Sequence, residues 1–189
     1  MMLSKNGKCA QFITLVCALL LCAGIAGAQA AKAPPPPSTP MKDVVHNWND
    51  AGRKLIAMAE DFPEAKYDWK PAPEVRSFAE QLLHAAGSTY FFEAFAKGQK
   101  PAEEDPKRSN FKSKAEIVVY VKKAVADGAK FIQAPGEAGL SKNVSFFGRN
   151  VTLLGLWAEA AEHSGEHYGQ LVVYYRMNKM VPPESRPRK

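Results

Sequence analysis

From residue 41 onward, apolar positions recur at steps of three and four, with charged residues between them. Val44, Trp48, Leu55, Ala59 and Phe62 fall on one side of a helical wheel, with Asp50, Arg53, Lys54 and Glu60 on the other. This pattern predicts a first helix over about residues 41–61, stopped by Pro63. Pro71 and Pro73 lie in the following loop, and Ser77-x-x-Glu80 reads as a capping box opening a second helix. That helix runs to about Lys97, ends at Gly98, and carries Phe78, Leu82, Ala85, Phe92 and Ala96 on its apolar face. The stretch from Gln99 to Lys112 is polar and broken by proline, hence a loop. Ser113-x-x-Glu116 repeats the capping pattern before a third stripe of Ile117, Tyr120, Val121, Ala124, Gly128 and Phe131, and Gly136 and Gly139 end that region. Asn150 is the expected cap of a fourth helix reaching about Asn178, ahead of Pro182-Pro183. No stretch sustains period-two alternation, so no sheet is expected. Long amphipathic helices joined by crossing loops predict an all-α, four-helix bundle.

The first thirty residues follow a different logic. Lys5 and Lys8 form a basic start, Phe12 to Ala23 an apolar run, and Ala26-Gly27-Ala28 and Ala28-Gln29-Ala30 two overlapping small-x-small sites. That is the pattern of a cleaved secretory signal over residues 1–30, and it predicts an exported, periplasmic or secreted, protein. Leu20-Leu21 before Cys22 argue against a lipoprotein signal. The uncharged run from Cys9 to Ala31 is also long enough for an uncleaved anchor, but the Ala-x-Ala sites favour cleavage. Residues 31–40 hold five prolines and make a stiff linker, leaving residues 41–184 for the bundle and 185–189 as a basic tail.

Composition narrows the chemistry. The chain is 46% hydrophobic and 23% charged, which excludes wholesale disorder. All three cysteines, Cys9, Cys17 and Cys22, precede the predicted cleavage site, so the mature chain has no disulfide, thiolate zinc site or cysteine nucleophile. Cleavage takes two lysines from a net charge of +6 and leaves a mildly basic product. The basic residues from Arg176 to Lys189 read as a solvated tail; no nucleic-acid motif accompanies them, and neither a nucleic-acid partner nor membrane insertion after cleavage is expected.

Histidine remains, at four positions. On the wheel of the fourth helix, Leu153, Leu154, Trp157, Ala161, Tyr168, Leu171 and Val172 make the buried stripe; His167 lies within it and His163 at its edge, one turn earlier. Two imidazoles at i, i+4 share a face and can chelate one divalent ion. His84 shares a face of the second helix with Phe91 and Phe95. If the second and fourth helices are neighbours, three imidazoles meet inside one end of the bundle, under an aromatic cluster of Phe91, Phe95 and Tyr174. His46 sits with Asp50 and Arg53 on a polar face and is expected to be solvated. The string His163-Ser164-Gly165-Glu166-His167 also fits the H-x-x-E-H of inverted zinc proteases, but those need a third ligand well downstream, where only Glu184 remains. Glu159 and Glu166, each within a turn of His163, point to the polar side of the wheel.

Trp48, Leu55 and Glu60, the run Gln81-Leu82-Leu83-His84, the segment Glu162 to Leu171, and the ending Tyr175-Arg176-Met177-Asn178 to Val181-Pro182-Pro183 resemble the DinB-like (DinB/YfiT) four-helix bundle proteins over roughly residues 41–184. The resemblance implies one histidine on the second helix and an H-x-x-x-H on the fourth, matching His84, His163 and His167, which would bind one divalent metal ion such as zinc or nickel. It further implies a metal-dependent hydrolase or transferase acting on a small molecule, with homodimers formed through helix faces. Thiol-transferring members work in the reducing cytosol, which sits badly with an export signal. A non-catalytic metal- or ligand-binding module is the alternative: a pocket open to the ion favours the enzyme, a sealed site with a fourth ligand the module.

Overall fold

The computed structural model describes residues 36–102 and 105–187. The expected signal at residues 1–30 lies outside the described residues, as do residues 31–35 of the proline-rich linker. Four long helices dominate: α1 (Pro40–Asp61), α2 (Phe78–Ala96), α3 (Lys114–Gln133) and α5 (Leu153–Met177), with a single-turn α4 (Gly136–Gly139). Both capping signals operate. Ser77 accepts from the Glu80 amide (3.2 Å) while the Glu80 carboxylate accepts from the Ser77 amide (2.6 Å). Ser113 accepts from the Glu116 amide (3.3 Å), but the Glu116 carboxylate reaches one residue further back, to the Lys112 amide (2.7 Å). Thr39 caps α1, with Pro40 at its first position, where its missing N–H costs nothing.

One expectation fails. Residues 143–152, taken as loop and helix start, form an antiparallel hairpin of β1 (Asn143–Phe146) and β2 (Arg149–Thr152). The turn residues Phe147 and Gly148 both have positive φ (48° and 76°), the backbone of a tight hairpin turn whose twist matches the strands. The β1 side chains do alternate, Val144 and Phe146 inward, but over four residues that alternation is too short to register as a period. Asn150 therefore lies in β2, and Thr152 caps α5 by accepting from the Gly155 amide (3.1 Å).

α1 packs on α3 and α5, and α2 on the same two, so α1 and α2 stand diagonally and the order around the bundle is α1, α3, α2, α5. The core has two parts. One gathers Leu55, Met58, Phe62, Phe78, Leu82, Ile117, Leu171 and Tyr175; in it Phe62 and Phe78 stack at 3.8 Å. The other surrounds the edge-to-face pair Trp48–Trp157 and includes Phe92, Ile132, Leu153 and Phe146. Trp48 donates to the Val125 carbonyl (2.8 Å), and its ring lies so close to α3 that a Cβ at Gly128 would stand 2.1 Å from it; only glycine permits that approach.

The buried row of α5 is Leu153, Leu156, Trp157, Ala160, Ser164, His167, Leu171 and Tyr174–Tyr175, while Leu154, Ala161, Tyr168 and Val172 of the expected stripe are half-buried. The small residues Ala160 and Ser164 take inward positions, which a wheel weighted by hydrophobicity does not register. The tail after α5 is strapped to α1. Arg53 donates to both Glu184 oxygens (2.5 and 2.9 Å), and Arg186, expected in a solvated tail, donates to both Asp61 oxygens (2.7 and 2.5 Å). Among the described residues no helix is long and apolar enough to cross a membrane.

Candidate metal centre

Because α2 and α5 are neighbours, His84, His163 and His167 converge. Each offers a ring nitrogen, and the three atoms lie within 4.8 Å of one another. The i, i+4 spacing does what the wheel predicts: the Nε2 atoms of His163 and His167 stand 3.0 Å apart. Ring centroids are 4.5 Å apart for His84–His167 and 5.4 Å for His84–His163. The cluster lies half-way along α5, between the two parts of the core, rather than at an end of the bundle. His46 is exposed, as expected.

The outer nitrogens of His84 and His167 are engaged. His84 Nδ1 lies 2.8 Å from both oxygens of Asp105. A carboxylate accepts only, so the His84 proton sits on Nδ1 and the Nε2 lone pair is left free. Arg76 in turn reaches Asp105 at 3.3 Å. His167 Nδ1 lies beside Gln170 Oε1 (3.1 Å) and the buried Gln81 amide nitrogen, which itself donates to Gln170 Oε1 (2.5 Å); one ring nitrogen carries either a proton or a lone pair, so Nδ1 serves one of the two. With the proton directed to Gln170, the His167 Nε2 lone pair also faces the cluster. Burial, with the neighbouring His167 and His84 charges adding to it, pushes His163 down to about 4; burial also lowers His167. Both are therefore neutral at pH 7 and have lone pairs to give.

This donor set fits a divalent ion of borderline softness. Two nitrogens bound to one ion at about 2.1 Å, with an angle of 90–109°, stand about 3.0–3.4 Å apart, and the helix-five pair already does. Asp105 is the orienting residue that sequence reasoning missed. It lies in the aperiodic segment 99–112, where nothing in the pattern ties it to a histidine 21 positions earlier. Gln81 and Gln170 carried a weak signal, each three residues from a site histidine on its own helix.

His84 and His163 open onto a cavity of about 660 Å³. Phe91, Phe92, Phe146 and Phe147 line one side, and Glu159, Glu162 and Glu166 another. The expected aromatic cluster is thus half right. Phe91 joins the cavity, with Phe95 packed against it and against the hairpin (5.1 Å to Phe91, 4.9 Å to Phe146). Tyr174 belongs to the other side of the bundle, where it packs on Trp69 and Phe78 and donates to the Arg76 carbonyl. The hairpin, absent from the sequence reading, supplies the aromatic residues in its place. Glu184, the only downstream candidate for a protease-like third ligand, is held by Arg53; the third imidazole comes from upstream.

The DinB superfamily profile matches residues 47–171, a span that includes all three histidines. The chain belongs to the DinB superfamily. Among solved structures it is similar to a DinB-like protein of Bacillus subtilis, YjoA, with a TM-score of 0.62 and 23% identity, covering 78% of this chain and 99% of YjoA. That likeness shows a shared DinB fold. No curated protein matches the chain.

Proposed function

We propose that this DinB-superfamily protein is an exported metal-dependent enzyme, of hydrolase or transferase type, whose divalent ion is held by His84, His163 and His167. The observation that carries the reading is the convergence of three imidazoles, two of which, His84 and His163, line an open cavity. A bound zinc or nickel ion would supply Lewis acidity and lower the pKa of bound water toward about 7. The chain's own residues do the rest. Asp105 holds His84 in the tautomer that leaves Nε2 free, Gln170, itself held by the Gln81 amide, holds the His167 ring, and burial keeps His163 and His167 neutral. The aromatic wall keeps water from the apolar part of a bound molecule.

An enzyme is favoured over a closed binding module because His84 and His163 face a cavity and Asp105 is spent on His84 Nδ1 instead of completing the ligand set. Export rests on the pattern of residues 1–30 and is tested by sequencing the N-terminus of the native protein. The family habit of pairing through helix faces supports a homodimer, tested by light scattering. For the reaction, the zinc- and nickel-loaded protein is assayed against activated esters, amides and thiol-transfer pairs. Turnover that disappears in His163→Ala is expected; turnover that survives the substitution overturns the reading.

A further inference from the structure

We infer that the cavity above the histidines takes a small molecule with an apolar, aromatic-sized body and one cationic amine. The inference takes the centre proposed above as its floor and adds the class of ligand. The cavity has room for such a molecule: about 660 Å³, well inside the range of small-molecule sites. Its two walls differ in chemistry. On one, Phe91, Phe92, Phe146 and Phe147 present a continuous ring surface, with Phe146–Phe147 centroids at 4.8 Å and Phe92–Phe146 at 5.6 Å. Phe147 is 70% exposed and sits at the hairpin tip with φ 48°, a conformation that is costly for an aromatic residue and that sets its ring at the cavity edge.

The other wall is anionic. Glu159, Glu162 and Glu166 succeed one another at i, i+3 and i+7 along α5, so all three share a face. Glu159 is neutralised by Arg149 (2.7 and 3.0 Å). Asp105, also at the cavity, is engaged by His84 and Arg76. Glu162 and Glu166 are ion-paired with no lysine or arginine among the described residues, and no described lysine or arginine lines the cavity. Two unneutralised carboxylates in the same cavity as an aromatic wall attract an ammonium group and repel a carboxylate or phosphate. The ring faces add to the same preference, because their electron-rich surfaces favour a nearby cation.

The test uses three probes of nearly equal size: 2-phenylethylamine, 3-phenylpropanoate and 2-phenylethanol. Binding to the full chain is measured by calorimetry at pH 7.5, both zinc-loaded and stripped with chelator. In the stripped protein the amine is expected to bind at least tenfold more tightly than the carboxylate. Glu162→Gln with Glu166→Gln, both at exposed positions, should abolish that preference and leave 2-phenylethanol unchanged. Phe147→Ala should weaken all three probes and leave their order intact. Carboxylate binding equal to amine binding in the stripped protein, or a preference that survives the double variant, overturns the inference. An amine preference in a protein that retains no zinc supports this inference while refuting the metal centre, so the two readings fail separately.

Discussion

Gly87 links the fold to the site through a single close contact. It lies on α2 one turn after His84, and a Cβ there would stand 2.8 Å from Pro106 Cδ, 3.3 Å from Pro106 Cγ and 3.7 Å from the Tyr120 hydroxyl. Carbon atoms in ordinary contact sit about 3.5–4.0 Å apart, so Gly87→Ala requires Pro106 to retreat by about 1 Å. Pro106 Cδ is bonded to the backbone nitrogen, so the chain moves with it, and the next residue back is Asp105. A shift of that size takes the carboxylate from 2.8 Å to beyond hydrogen-bond range of His84 Nδ1. The two consequences differ in size. Alanine in a helix interior gains about 1 kcal/mol over glycine, which offsets the strain of displacing an exposed loop, so the global stability should stay within about 1 kcal/mol of the parent. Metal affinity should fall by about 10–100-fold, the usual cost of losing an outer carboxylate partner of a ligating histidine. Thermal unfolding in chelator measures the first, and zinc titration against a competing chelator the second. Asp105→Asn should reproduce the affinity loss, and the double variant should lose little more than either single one, because both act through one contact. A folded Gly87→Ala protein with zinc affinity within twofold of the parent would refute the chain of contacts from Gly87 to His84.

Other outcomes follow from the same structure. Ser77→Ala removes half of the capping box at α2 and should cost about 1 kcal/mol in denaturant unfolding. Gly128→Ala forces a methyl onto the ring of Trp48, where neither Trp48 nor Trp157 has room to move; it should destabilise by at least about 1–3 kcal/mol despite the better helix former, seen as a lowered midpoint and altered tryptophan emission. For the metal-free protein, the unfolded chain protonates His163 near pH 6.5 while the folded one refuses the proton down to about pH 4. Stability should therefore be full above about 6.5, fall as pH drops toward 4, and level in that contribution below; a His163→Phe variant should lack that part of the slope.

The helices and the histidine pair were legible because both are periodic. A four-residue step on one helix is a distance, so His163 and His167 could be placed together from spacing alone, and the Ser77–Glu80 box marks its own helix start. The remainder of the site depends on tertiary contacts with no sequence period. Asp105 reaches His84 from an irregular loop, and the Phe146–Phe147 tip reaches α2 from strands of four residues each. The buried face of α5 is rotated toward Ala160 and Ser164, small or polar residues that a wheel weighted by hydrophobicity does not pick out. Tyr174 is expected at the cavity but packs on Trp69 and Phe78: its burial is legible in the sequence, its neighbours are not.

The central claim is that three imidazoles on α2 and α5 hold one divalent ion. Its most direct test is elemental analysis of the protein purified from its native compartment without chelator, beside the His84→Ala, His163→Ala and His167→Ala triple variant and His46→Ala. One equivalent of zinc, nickel or a similar divalent ion per chain is predicted for the parent and for His46→Ala, and less than a tenth of that for the triple variant. A parent protein without stoichiometric metal that also takes up none on titration, or a triple variant that keeps its full equivalent, would contradict the account.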